Sequence, residues 1–293
     1  MKKPIVNFLE PSQQQLNDLL ECYQAGRYAD AVKLSLSITQ EFPKHPFAWK
    51  VLGAALKQMG KINESLVATQ KSVQVKPQDA DAHNNLGFML KELGRLDEAE
   101  TSYRKAIALK PDYAEAHYNL GIILQELRRL DEAETSYRQT ITLKPDYAEA
   151  HSNLGITLKE LGRLNEAEAS LRQVIELKPD NVEAHNNLGI TLQELGRLDE
   201  AEASYRKGIK LKPDYAEIYF NLSSILKRLN KFDEAEVCYR QVLSFVANND
   251  LRKKIIASYG KLLMILNKHN SGLKFIAEGE GIIVFMQKKF EVI

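Results

Sequence analysis

The chain writes one pattern of apolar and polar positions again and again. Leu86, Leu120, Leu154, Leu188 and Leu222 stand 34 residues apart, and so do Ala99, Ala133, Ala167, Ala201 and Ala235. The apolar positions around each leucine and around each alanine read as a helix, so each unit predicts two. Between the two lies glycine, at Gly60, Gly94, Gly162 and Gly196, where a left-handed helix end carries little steric cost. Asn230 tolerates the same conformation; Arg128 in that position costs roughly 1 kcal/mol if its backbone is left-handed.

Prolines at 43, 77, 111, 145, 179 and 213 fix the period at 34 and divide the chain into blocks 46–79, 80–113, 114–147, 148–181, 182–215 and 216–249. A degenerate unit, 12–45, precedes them, behind an N-terminal extension of residues 1–11. In block 114–147, Asp112 with Glu115 and Asp131 with Glu134 read as Asp-x-x-Glu signals that open the two helices. Small residues recur where paired helices must approach: Gly53, Gly87, Gly121, Gly155, Gly189 and Ser223 in the first helix, the alanines in the second. One helix pair cannot bury its apolar face, so successive pairs must stack, which predicts an all-α solenoid curving into a superhelix with a concave face. Residues 250–268 predict a capping helix, with Leu251, Ile255, Tyr259, Leu262, Leu263 and Leu266 on one stripe. The tail, 269–293, contains two apolar runs around Gly279 and Gly281 and suggests a short β-hairpin.

Composition narrows the function classes. Forty Lys and Arg against 39 Asp and Glu leave a net charge of +1, with the signs interleaved, so no basic face for nucleic acid is expected. No apolar run has the length of a membrane span, and the start, "MKKPIVNFLEPSQQQ", has no cleavage site of the secretory kind, so a cytoplasmic protein without membrane partners is expected. Cys22 and Cys238 lie too far apart along an extended array for a disulfide, which fits a reducing compartment.

Trp49, Leu52, Gly53 and Pro77 in one block, and Leu86, Gly87, Ala99, Tyr103 and Pro111 in the next, carry a resemblance to the tetratricopeptide-repeat family. It covers residues 12–249 and implies a right-handed superhelix of antiparallel helix pairs. The chain departs from the family pattern at Ser65 and Thr69, where alanine and an aromatic are usual, and at histidines that replace the first aromatic in four units.

Candidate chemistry follows the same period. Asn85, Asn119, Asn153, Asn187 and Asn221 sit two residues before each Leu-Gly position or its equivalent, in the middle of the first helix. A carboxamide both donates and accepts, so a ladder of them can hold an extended peptide backbone. The units, "AEAHSNLGITLKELGRLNEAEASLRQVIELKPDN" above all, are most similar to those of the O-linked N-acetylglucosamine transferases. That resemblance implies that the asparagines line the concave face; the competing reading has them bond across adjacent first helices. Tyr118, Phe88, Ile122, Ile156 and Ile190 would flank the ladder. Asp81, Glu115, Glu149, Glu183 and Glu217 hold positions where a clamp for chaperone carboxylates needs basic residues. His83, His117, His151 and His185 recur once per unit and cannot converge on one ion, so packing is their expected role. The acids of "RLDEAE" read as helix-start residues, and no nucleophile pairing, cofactor motif or metal spacing stands out.

The pattern therefore predicts a non-catalytic scaffold that binds an extended peptide or partner protein on its concave face, without cofactors. One alternative is the substrate-recruiting arm of a glycosyltransferase or other modifying enzyme whose catalytic domain lies outside the chain. Another is self-association through the convex face or the ends.

Overall fold

The computed structural model describes residues 10–245 and 250–266. These form fifteen α-helices, with no strand among the described residues: α1 (Gln13–Gln24), α2 (Tyr28–Glu41), α3 (Pro46–Gln58), α4 (Ile62–Val75), α5 (Ala80–Glu92), α6 (Leu96–Leu109), α7 (Ala114–Glu126), α8 (Leu130–Leu143), α9 (Ala148–Glu160), α10 (Leu164–Leu177), α11 (Val182–Glu194), α12 (Leu198–Leu211), α13 (Ala216–Arg228), α14 (Phe232–Phe245) and α15 (Asp250–Ile265). The fold is an all-α solenoid of antiparallel helix pairs. The β-hairpin expected over residues 269–293 lies outside the described residues.

The turn inside each pair has one design. At the end of α5, Gly94 (φ 71°) donates its N–H to the Lys91 carbonyl at 2.8 Å, and Arg95 donates to the Leu90 carbonyl at 2.9 Å. These two bonds close the helix and reverse the chain in three residues. The unit that lacks the glycine keeps the geometry: Arg128 adopts φ 61° and bonds Gln125 and Leu124 through its own and the next N–H in the same way. Asn230 does so at φ 59°.

The Asp-x-x-Glu start signals are not used as capping boxes. Arg129 holds the N-cap of α8 and Tyr113 that of α7, neither with a side-chain cap bond. The N-cap before Leu130 is an arginine, whose side chain has no oxygen to accept from the helix N–H groups. Asp131 and Glu132 instead fall in the first turn of α8, where the positive end of the helix dipole favours carboxylates. Side-chain caps occur at Asp79 and Asn181, which accept from the N–H of Ala82 and Ala184, and at Ser12, which forms a full capping box with Gln15.

The helices group into two compact units, residues 1–150 and 151–293. In the first, α1, α2 and α3 close around Leu19, Cys22, Ala31, Ile38, Ala48 and Val51. Further on, the mid-helix glycines meet rings: a Cβ on Gly87 would stand 2.7 Å from the Tyr103 ring, and one on Gly121 2.6 Å from Tyr137. Both tyrosines are fully buried. The second unit repeats the device with Gly189 under Tyr205, and with Leu171 over Gly155. There α15 packs on α14, burying Ile255, Tyr259, Leu262 and Leu263, with Tyr239 and Tyr259 stacked at 5.6 Å.

Carboxylates tie one pair to the next along the second helices. Glu100 accepts from Arg104 on its own helix at 2.9 Å and from Arg129 of the next unit at 2.7 Å. Glu168 takes Arg172 and Arg197 at 2.8 and 2.5 Å, and Glu202 takes Arg206 and Lys231, each at 2.8 Å. Most of each glutamate side chain is withdrawn from solvent. The last glutamate of "RLDEAE", like its equivalents, thus reaches beyond the helix start. Its signal in the sequence was the basic residue before each second helix, matched 29 residues earlier by the glutamate.

Candidate functional site on the first helices

The recurring asparagines all lie half-exposed on first helices. In the first unit, Asn85 and Phe88 sit one turn apart on α5, and Tyr118, Asn119 and Ile122 on the α7 that packs beside it. In the second unit, Asn153 and Ile156 lie on α9, Asn187 and Ile190 on α11, and Asn221 on α13, which packs against α11. Within each unit the period brings amides and apolar side chains to one surface.

The amides divide into two kinds. Asn119 donates through Nδ2 to the Asn84 carboxamide oxygen at 3.1 Å, and Asn221 donates to that of Asn186 at 2.9 Å. Asn84 and Asn186 are buried, and Asn186 also donates to Glu217 at 3.2 Å. These bonds join adjacent first helices. Asn85 and Asn187 make no side-chain hydrogen bond to another described residue and remain half-exposed. The doubled Asn-Asn of blocks 80–113 and 182–215 therefore has a division of labour: the first asparagine reaches the next unit, and the second is left for solvent.

The apolar neighbours differ in availability. Tyr118 stacks on Tyr147 at 4.9 Å and leans on Tyr137 at 6.1 Å, so its ring is partly consumed by packing. Phe88 lies beneath the Lys57 ammonium, 3.3 Å from the ring centroid, an attraction between cation and ring face. Burial lowers the pKa of Lys57, and the nearby Glu92 carboxylate partly offsets this. Ile122, Ile156 and Ile190 are half-buried. A cleft of about 150 Å³ opens beside Asn85 and Phe88, lined also by Gly53, Ser65, Thr69 and Met89.

Acids dominate the start of the first helices. Asp81 accepts from Lys50 at 2.7 Å, and that bond is the main reason its carboxyl is held below the usual range. The histidines have a local role. Nε2 of His83 and of His117 lies 3.0 Å from the carbonyl of Pro77 and Pro111, and that of His185 lies 3.1 Å from Pro179. Trp49 donates its indole N–H to Pro43 at 2.8 Å in the same way. Histidine can thus stand in for Trp49 because either ring can present a nitrogen to that carbonyl.

Models described as tetratricopeptide repeat match residues 68–101, 112–180, 152–216 and 192–258, and one described as TPR repeat matches residues 89–127. The chain belongs to the tetratricopeptide-repeat family. No curated protein matches it. Among solved structures, a tetratricopeptide-repeat protein from Parabacteroides merdae is 19% identical with a TM-score of 0.59, over 86% of this chain and 99% of that one. YrrB, described as a TPR protein with an unusual peptide-binding site, is 22% identical with a TM-score of 0.55, over 61% and 92%. Pseudomonas aeruginosa pilF is 20% identical with a TM-score of 0.58, over 67% and 88%. At these identities the likeness is one of fold. As a tetratricopeptide-repeat protein the chain has the architecture of an interaction scaffold. Among the described residues no helix is long and apolar enough to cross a membrane.

Proposed function

We propose that the chain is a non-catalytic scaffold whose first-helix surfaces bind an extended peptide segment of a partner protein. The observation that carries this reading is the pair Asn85 and Asn187, half-exposed amides without a partner among the described residues, each one turn from a half-exposed apolar side chain. An amide in the middle of a helix has no propensity advantage, and a carboxamide suits a peptide backbone because it matches both N–H and C=O. Asn119 and Asn221 serve the stacking of units and keep their oxygens for a ligand. Similarity of the units to the recruiting arm of O-linked N-acetylglucosamine transferases would make that partner a modification substrate; the asparagine position supports this version. Buried thiols at Cys22 and Cys238 suit a reducing, cytoplasmic setting.

Peptides selected from a random display library on the intact chain test the backbone grip. Replacing single peptide N–H groups by N-methyl groups should weaken binding at least tenfold at alternate positions. Uniform tolerance of N-methylation would show that the amides do not hold a backbone.

A further inference from the structure

The last helix pair departs from the others on its outer surface. At one register of the second helices the chain carries Thr101 and Ser102, Thr135 and Ser136, Ala169 and Ser170, then Ala203 and Ser204, but α14 carries Val237 and Cys238. Ser102 and Ser136 spend their hydroxyls on the carbonyls of Glu98 and Glu132, and Ser204 on that of His185. Val237 instead stands 65% exposed, more than any other large apolar side chain among the described residues. Cys238 beside it offers a buried thiol that burial keeps protonated, its pKa pushed up to about 11.

A cleft of about 350 Å³ opens here between α12 and α14, a volume within the range of sites that hold a bound group. Ile209, Tyr219, Leu222, Val237 and Cys238 give it largely apolar walls, and Arg206, Lys210 and Glu234 add charge. Arg206 already serves Glu202 and Glu234. Lys210 makes no ion pair among the described residues, and it stands where the preceding second helix has Glu176.

A segment able to cover this surface follows in the chain. Arg252 donates to the Leu243 carbonyl and Tyr259 to Glu236, so α15 runs back along α14 and ends beside its first turns, where Glu234 stands. Residues 267–293 come next and lie outside the described residues. Their sequence holds an apolar run, Ile282, Ile283, Val284, Phe285 and Met286, with Glu278 and Glu280 before it and Lys288 and Lys289 after it. That order of charge complements a cleft with Lys210 on α12 and Glu234 on α14. Residues 267–281 separate α15 from the run and can span up to about 50 Å, more than twice the ~21 Å length of α14.

We propose that residues 282–286 of the chain's own tail dock in the cleft between α12 and α14, with Glu280 towards Lys210. The contact covers Val237 with apolar side chains. It lies on the second helices, apart from the amides of the first, and so stands or falls independently of the peptide reading.

Disulfide trapping in the full chain tests the contact. Cys238→Ser, which copies the serine of the other units, removes the native thiol of the cleft, and Val237→Cys places an accessible one at its wall. A second cysteine is then introduced singly at position 282, 283, 284, 285 or 286, and mass spectrometry identifies the linked peptides. Under mild oxidation at low protein concentration, at least one of the five should close within one chain at least tenfold faster than in a control. The control carries Ala169→Cys in place of Val237→Cys, an exposed position at the same register two second helices earlier. Circular dichroism checks that each variant keeps its helices; Val237 and Ala169 are both exposed, so neither substitution disturbs the core. Rates no faster than the control at all five positions would overturn the contact. Disulfides formed only between two chains would overturn it too, giving the cleft to a second copy.

Discussion

Arg128 shows at the scale of one residue how the repeated turn governs its members. Its backbone at φ 61° matches the glycines of the other units, which adopt 71° to 78°. The closing bonds of the turn, from Arg128 and Arg129 to the preceding helix, hold it there. A side chain in the left-handed region costs energy that glycine avoids. Arg128→Gly should therefore stabilise the chain by about 1 kcal/mol, seen as a higher denaturant midpoint; an unchanged or lower midpoint would mean that the turn carries no such strain. The position was readable from the sequence because five glycines and Asn230 share its register, whether or not an arginine follows them. The histidines were readable only in part. Their period argued against a shared ion, but the bond to the proline carbonyl six residues earlier depends on how the chain bends before the helix.

At the scale of the helix, the sequence announced the pairs and their lengths but misled on how they start. The Asp-x-x-Glu spacing resembles a capping box, yet three-residue turns place the acids inside the helix, where some bind the next unit instead. Glu202 shows the consequence. Burial pushes its carboxyl up, but hydrogen bonds from Lys231 and Arg206 outweigh this and leave the folded-state pKa lowered. A depressed carboxyl favours the ionised form in the fold, so its stabilisation is complete above the unfolded value of about 4.3 and is lost as the pH falls through the folded one. The melting temperature should fall on acidification below about pH 4.3, and Glu202→Gln should be less stable than the parent at pH 7 with a smaller loss in acid. An equal acid response in parent and variant would assign the effect to other carboxylates.

For the molecule as a whole, the 34-residue period made the all-α solenoid legible, because six phased prolines and five leucines in one register leave one architecture that buries every apolar stripe. The surface was less legible. A period predicts that five asparagines are equivalent, but their roles divide by the neighbour just before each: Asn84 and Asn186 reach forward to Asn119 and Asn221, while Asn85 and Asn187 are left over. The reading that these amides join adjacent helices thus holds for Asn119 and Asn221, and the proposed groove rests on Asn85 and Asn187. The departure at Ser65 likewise lay hidden, since its hydrogen bond to the Gly53 carbonyl exists only once the two helices are paired.

The most direct test of the scaffold reading is the affinity of display-selected peptides for the parent chain, for Asn85→Ala and for Asn187→Ala, with folding checked by circular dichroism. One or the other substitution should weaken each peptide at least tenfold while the melting temperature stays within a few degrees of the parent, because neither amide holds a neighbouring helix. Unchanged affinity in both variants, with the fold intact, would contradict the backbone grip of these amides and move the binding surface elsewhere.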